Sequence, residues 1–326
     1  MSFENKEVEW DVMDITIHGT ITAPTEIKLH SAVVFVAGSG PTDRDWCSPL
    51  LPGSNGTAKI LAEELAKLGY LTLRYDKMAS GPLARENLPK FLGKASMQSH
   101  MEELKGAVGA VLNELENNCR IYALTNSEGA IHAVNYQILE KGKQFAGMIL
   151  TGAPGRSVSE MARSQLINQS KTLPNVAEIV EYYDVSIKAF LAGKPIRHNS
   201  SMPQGVEMLL LSLENPANLP FSKELWEYRL SDNIAKITVP VLVLIGKKDI
   251  QSDWRIDGGA LEEAAKASPN VSFVYPENAN HVLKHEDLPL EKLSADYAGS
   301  HYNSMEAKLD SEAFTEILKW LRTNDV

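Results

Sequence analysis

Three side chains, far apart in a chain of 326 residues, have the types and settings that nucleophilic catalysis needs. Ser127 lies in IYALTNSEGA (121–130), where a β-branched apolar run passes through Thr-Asn-Ser-Glu-Gly into the start of a helical pattern. A sharp strand-to-helix turn lifts a serine hydroxyl clear of a sheet, and the helix N-terminus aims free N–H groups at developing negative charge. A serine hydroxyl is inert without a base, and the base needs a carboxylate to orient it. Asp249 follows the apolar run VPVLVLIG through Lys247 and Lys248, and His281 follows VSFVYPENAN, so the order is Ser, Asp, His. Taken singly, Asp249 reads as a turn former and His281 as a solvated loop residue. Three such residues at three strand ends read as a catalytic triad. His285, four residues beyond His281, is an alternative base.

The elements that must position these residues can be read from periodicity. VEWDVMDITIHGTITAP, within 8–34, alternates apolar and polar residues around a glycine and predicts an N-terminal β-hairpin. AVVFVAG (32–38) is continuously apolar, as in a strand covered on both faces. A helix over 55–69, a strand over 70–76, a helix over 99–118 and the strand 121–125 follow, each with the matching spacing. After Ser127 a helix runs toward Gly142, and FAGMILTGAPG (145–155) is another buried strand with its exit loop. Residues 156–235 break this rhythm with helical patterns and no buried strand, which predicts an inserted helical cap. The strands 239–249 and 271–277 and a last helix complete the pattern. The expected fold class is α/β, a doubly wound, mostly parallel sheet, with residues 1–155 and 236–326 as the core and 156–235 as the cap. Ligands bind such sheets at the carboxyl ends of the strands, so chemistry belongs in the loops after residues 37, 76, 125, 152 and 246.

At this point the chain resembles the α/β-hydrolases, and more closely the bacterial serine esterases and relatives of dienelactone hydrolase. Residues 37–45 read AGSGPTDRD, the loop that follows the first buried strand in those proteins, and GKKD and NANH stand where their acid and base loops do. The resemblance implies a carboxylic ester hydrolase with Ser127 as nucleophile, Asp249 and His281 completing the triad, and an oxyanion hole of the backbone N–H groups of Ser39 and Glu128. It implies no organic cofactor and no metal. The family's elbow resembles Gly-His-Ser-Glu-Gly-Gly, whereas this chain has Thr125, Asn126 and Ala130 at three of those six positions. Thr125 is expected to crowd the turn with a β-branched side chain.

The glycine-rich loop has its own physical reading, since such a segment leaving a strand can aim amides into a cleft. As a dinucleotide site it fits badly, with Asp43 at the third glycine position and Pro41 removing an amide. TGAPG (151–155) lacks the Lys-Ser/Thr pair of a P-loop. Thr42, Asp43, Arg44 and Asp45 are expected to hold the loop by hydrogen bonds and ion pairs. Asp76 and Lys77, which match the family's next strand-end loop, are read either as supports behind it or as a surface turn.

A formal net charge of −10 with scattered cations argues against nucleic acid as a partner. No apolar stretch approaches a membrane span, and MSFENKEVEWDV has no basic region followed by an apolar one, so a cytoplasmic protein without membrane partners is expected. The two cysteines, Cys47 and Cys119, read as reduced thiols. The expected partner is a small ester or lactone, and nothing in the composition opposes a homo-oligomer. The alternatives to an esterase are a non-catalytic small-molecule binder on the same fold, or an acyltransferase or carbon–carbon bond hydrolase with the same triad. In the cap, Met161, Leu166, Tyr182, Tyr183, Phe190, Met202, Leu209, Leu210, Phe221 and Trp226 are available either to line a pocket or to pack the cap on the core.

Overall fold

In a computed structural model the chain is described over residues 2–29, 31–49, 53–115, 119–294, 301–304 and 306–325. Eight strands form one sheet in the order β1-β2-β4-β3-β5-β6-β7-β8. The hairpin β1 (Phe3–Val12) and β2 (Ile15–Pro24) is antiparallel, β2 joins β4 (Leu71–Tyr75) antiparallel, and every pairing from β4 onward is parallel. The parallel strands β3 (Ala32–Val36), β4, β5 (Ile121–Asn126), β6 (Gly147–Thr151) and β7 (Val241–Leu244) are wholly buried, as their unbroken apolar runs require. β8 (Val271–Val274) is the half-exposed edge.

The hairpin turns at Met13-Asp14, not at the glycine within the expected run. Met13 takes the left-handed conformation (φ 54°), while Gly19 sits inside β2 opposite Val8 and Tyr75. A Cβ on Gly19 would come within 3.0 Å of the Arg74 carbonyl and of Leu73, so this glycine serves close strand packing.

Side chains alternate between the two faces of the sheet, and each face has its own core. Val34, Val36 and Ala123 pack with α3 (Met97–Leu112) and α4 (Gly129–Leu139) on one side. Val33, Phe35 and Leu124 pack with α1 (Thr57–Lys67) and the C-terminal helix Ser311–Asn324 on the other. A short helix, α2 (Ala84–Phe91), precedes α3. Between β6 and β7 the chain runs through α5 (Val158–Ser170), α6 (Val176–Leu191), α7 (Gln204–Glu214), α8 (Phe221–Glu227) and α9 (Ser231–Ile234). This helical segment has a separate core in which Ile179, Tyr183, Phe190, Met202 and Leu210 are buried together. A π-helical turn, Trp254–Gly258, leads into α10 (Gly259–Ala265) before β8.

The strand order positions the site. From β3 the chain moves outward to β4, then returns to β5 on the opposite side, so the loops leaving β3 and β5 diverge and open a crevice between them. The parallel register brings the strand ends level: Val36 pairs with Thr125, Asn126 with Thr151, Thr151 with Leu244, and Leu244 with Val274. The residues that follow, Gly38, Ser127, Gly152, Asp249 and His281, therefore emerge at one edge. No described helix is long and apolar enough to cross a membrane.

Candidate active site

Ser127 is the pivot of the strand-to-helix turn and takes a left-handed backbone conformation, φ 53°. A non-glycine residue there is strained and persists only where its surroundings over-determine it. Its N–H donates to the Thr151 carbonyl (2.8 Å) and its carbonyl accepts from Ala130 N (3.0 Å). Thr125 does not crowd this turn: it is a fully buried member of β5, with its hydroxyl on the Ile149 carbonyl (3.3 Å). The tight point lies at Gly129, where a Cβ would stand 2.4 Å from the Val36 carbonyl oxygen and 2.8 Å from that of Ala37. Ala130, one residue on, is buried in the core without conflict.

Asp249 and His281 are paired and buried, with His281 Nδ1 2.8 Å from Asp249 Oδ2. The other carboxylate oxygen accepts the N–H groups of Gln251 (2.7 Å) and Ser252 (2.9 Å), which fixes the acid. With Nδ1 turned to the carboxylate, Nε2 is the nitrogen left to act as base. The imidazole is not hydrogen-bonded to Ser127 here; the backbone brings the two together. The ring lies over Gly152, where a Cβ would be 3.0 Å from Cε1, and Gly152 directly follows the Thr151 carbonyl that holds Ser127. Such contacts commonly tighten only when substrate binds. His285 is elsewhere, bonded to Asp310 (2.8 Å) and Asp287 (3.2 Å).

The loop after β3 leans on the turn, since a Cβ on Gly38 would lie 3.3 Å from that of Ser127. Asp76 and Lys77 are both buried behind this loop and hold it. Asp76 accepts from Arg44 at the backbone N (2.9 Å), Nε (3.0 Å) and Nη2 (2.7 Å). Lys77 Nζ donates to the Gly38 carbonyl at 2.5 Å. In a trans peptide the carbonyl and the following N–H point opposite ways, so this bond turns the Ser39 N–H away from Lys77. The expected internal bonds are present: Thr42 Oγ1 donates to the Ser39 carbonyl (2.7 Å), Asp43 accepts from Asp45 N (2.9 Å) and Cys47 N (2.8 Å), and Asp45 pairs with Arg74. Cys47 and Cys119 are free thiols.

Glu128 places its backbone at the start of α4 and its carboxylate in a buried polar cluster beneath it. Burial would raise this carboxyl, but the His132 hydrogen bond (3.1 Å) and the charges of Lys77, His132 and His100 outweigh it and hold the group at about 2. Burial, and then the His100 charge, push His132 below its ordinary value, and burial likewise lowers Lys77. His100 bonds Glu103 (2.7 Å), and Phe221 of α8 packs on both imidazoles, so the helical segment docks over this cluster. Sequence points to Lys77 and to the Glu128 backbone but not to the Glu128 carboxylate, His132, His100 or Glu103, although Glu128/His132 at i,i+4 and His100/Glu103 at i,i+3 are visible signals.

Asn126 has a role that sequence did not reveal. Its Nδ2 donates to the His281 main-chain carbonyl at 2.9 Å, and its Oδ1 lies beside Gly38. One buried carboxamide thus spans the base loop and the loop after β3.

A cavity of about 540 Å³ reaches Ser39, Ser127 and Glu128 from the helical segment. Met161, Leu166, Leu209 and Trp226 line it, whereas Tyr183, Phe190, Met202 and Leu210 pack within the segment. Among the described residues no cluster of side chains has a metal-binding arrangement.

Known proteins agree with this architecture. No family model matches the chain. The esterase EstD of Thermotoga maritima is 24% identical over 337 residues, covering 98% of this chain and 68% of that protein. An esterase of Pyrococcus furiosus superposes with a TM-score of 0.58 at 16% identity, over 98% of this chain and 91% of its own. A proline iminopeptidase of Mycobacterium smegmatis gives 0.57 at 16% identity, over 98% and 99% of the two chains. With the parallel sheet and the turn at Ser127, these likenesses show that the chain has the α/β-hydrolase fold.

Two outcomes follow from the buried groups. Because the Glu128 carboxyl is held at about 2 against an ordinary 4.5, its contribution is fully present above pH 4.5 and is lost as pH falls toward 2. Its size is on the order of 3 kcal/mol, and urea melts between pH 6 and 3 should show an acid limb that flattens in Glu128→Gln. Asn126→Ala leaves the buried His281 carbonyl without its donor and should cost about 1–3 kcal/mol in the same melts.

Proposed function

We propose that the protein is a serine hydrolase of carboxylic esters, lactones included, with Ser127 as nucleophile. The observation that carries this reading is the strained, left-handed Ser127 held between the Gly38–Ser39 loop and the His281–Asp249 pair. The esterases from Thermotoga maritima and Pyrococcus furiosus, similar over nearly the whole chain, support the same class.

Ser127 Oγ attacks the carbonyl carbon while His281 Nε2 takes the hydroxyl proton, and Asp249 stabilises the resulting imidazolium. The carbonyl oxygen becomes an oxyanion and receives the N–H groups of Ser39 and Glu128. The Lys77 bond to the Gly38 carbonyl holds the first of these donors in place before the reaction, which is where preorganised donors have their effect. Collapse breaks the ester C–O bond, and the proton on His281 passes to the departing alcohol. Water then attacks the acyl-enzyme, giving its proton to His281, and the acid leaves as Ser127 Oγ is reprotonated. The helical segment acts as a cap that sets what reaches Ser127.

With p-nitrophenyl acetate the protein should turn over. Ser127→Ala should lose all measurable turnover without losing the fold, and Asp249→Asn should lower kcat by about 10³–10⁴-fold. Unchanged turnover in folded Ser127→Ala would refute the assignment.

A further inference from the structure

The cavity at Ser127 follows one helix along its whole length. Val158, Met161, Gln165 and Gln169 of α5 line it at intervals of three or four residues, and Leu173 continues the series beyond the helix end. Residues so spaced share one face, so the entire face borders the space. From Val158 to Ser170 the helix rises about 18 Å. Val206 and Leu209 of α7, also three residues apart, and Trp226 of α8 contribute further apolar lining. Leu173 is 41% exposed, so the far end of this groove meets solvent while the near end meets the nucleophile.

The second observation is charge. Among the described residues lining the groove, Glu128 is the one with an ionisable side chain, and its carboxylate is committed to His132 in the buried cluster. No lysine or arginine lines the described wall, so a carboxylate or phosphate on the substrate would be desolvated there without a counter-charge. Gln165 and Gln169 are polar but neutral.

We propose that the substrate is an uncharged ester with one long apolar arm, laid along α5 from Ser127 toward Leu173. The inference rests on the hydrolase reading and adds the class of ester. At about 18 Å the groove accepts an extended arm of roughly a dozen carbons. The arm belongs to either the acyl or the alcohol side, and two substrate series distinguish these sources.

The test measures kcat/KM for p-nitrophenyl esters from acetate to dodecanoate, and for alkyl acetates from ethyl to dodecyl, below their micelle concentrations. In one series kcat/KM should rise about two- to fourfold per added methylene to at least eight carbons, mainly through KM. p-Nitrophenyl succinate should react at least tenfold more slowly than the butyrate. Gly205→Phe places a ring on the groove wall at a position where a Cβ meets nothing within 4 Å, so the variant should fold. It should lower the ratio of long-arm to acetyl kcat/KM by at least tenfold. Flat series in a protein whose acetate turnover depends on Ser127 would overturn the inference and leave the hydrolase reading standing. If the parent turns over no ester, calorimetry of decyl acetate with Ser127→Ala protein decides the question. Tighter binding than ethyl acetate supports the long-arm groove, and equal or absent binding overturns it.

Discussion

The structure turns on the backbone of Ser127. A serine held at φ 53° is unfavourable by itself, and the fold supplies the constraints that keep it there. β5 delivers it between β3 and β6, the Thr151 carbonyl fixes its N–H, and Gly129 lets α4 start against the carbonyls of Val36 and Ala37. Each contact comes from a different strand, so the sheet must be assembled in register before the turn can form. The same register brings Gly38 beside Ser127 and Gly152 against the His281 ring. Glycine at 129 leaves room for an approach that any side chain would block, and glycines at 38 and 152 make contacts that a side chain would crowd.

Behind the turn lies an unusual amount of buried charge. Asp76, Lys77, Glu128 and Glu103 occupy buried positions where each isolated ion would cost several kcal/mol, and all have partners, with the half-buried Arg44 pairing Asp76. The arrangement gives direction more than net stability. Asp76 and Lys77, adjacent in sequence, grip two points of the loop after β3, the Arg44 backbone and the Gly38 carbonyl. The Lys77 bond orients one peptide plane, and the Glu128 carboxylate, attracted by the same ammonium, anchors the residue that carries the neighbouring N–H. The helical segment reaches this layer through Phe221, which packs on His100 and His132, and through Glu224, which accepts from Met97 N.

Much of this was legible in the sequence because it depends on local pattern. Buried parallel strands are continuous apolar runs, and Ser127 and Asp249 each follow one closely, while His281 lies in the loop after the half-exposed β8. AGSGPTDRD has the glycines of a loop that must approach another backbone, and its polar residues form the bonds expected of them. The hairpin turn was misread because Gly19 has a second use: it admits β4, while the turn relies on Met13 in a left-handed conformation. α2 gave no signal, since it is eight residues long, contains Pro89 and buries only Asn87. The Asn126 bond to the His281 carbonyl joins residues 155 apart, and no periodicity records such a contact. The groove was hidden in the same way. The sequence of α5 shows a helical pattern, but whether the face of Val158, Met161, Gln165 and Gln169 meets a core or a cavity is decided by where α7 and α8 come to rest.

The claim on which the account depends is that Ser127 is an activated nucleophile. Intact-mass spectrometry after exposure to a fluorophosphonate tests it directly, with folded Ser127→Ala protein as the control. The account predicts one phosphonyl adduct on the parent and none on the variant. An unmodified parent, or an equal adduct on Ser127→Ala, would contradict it.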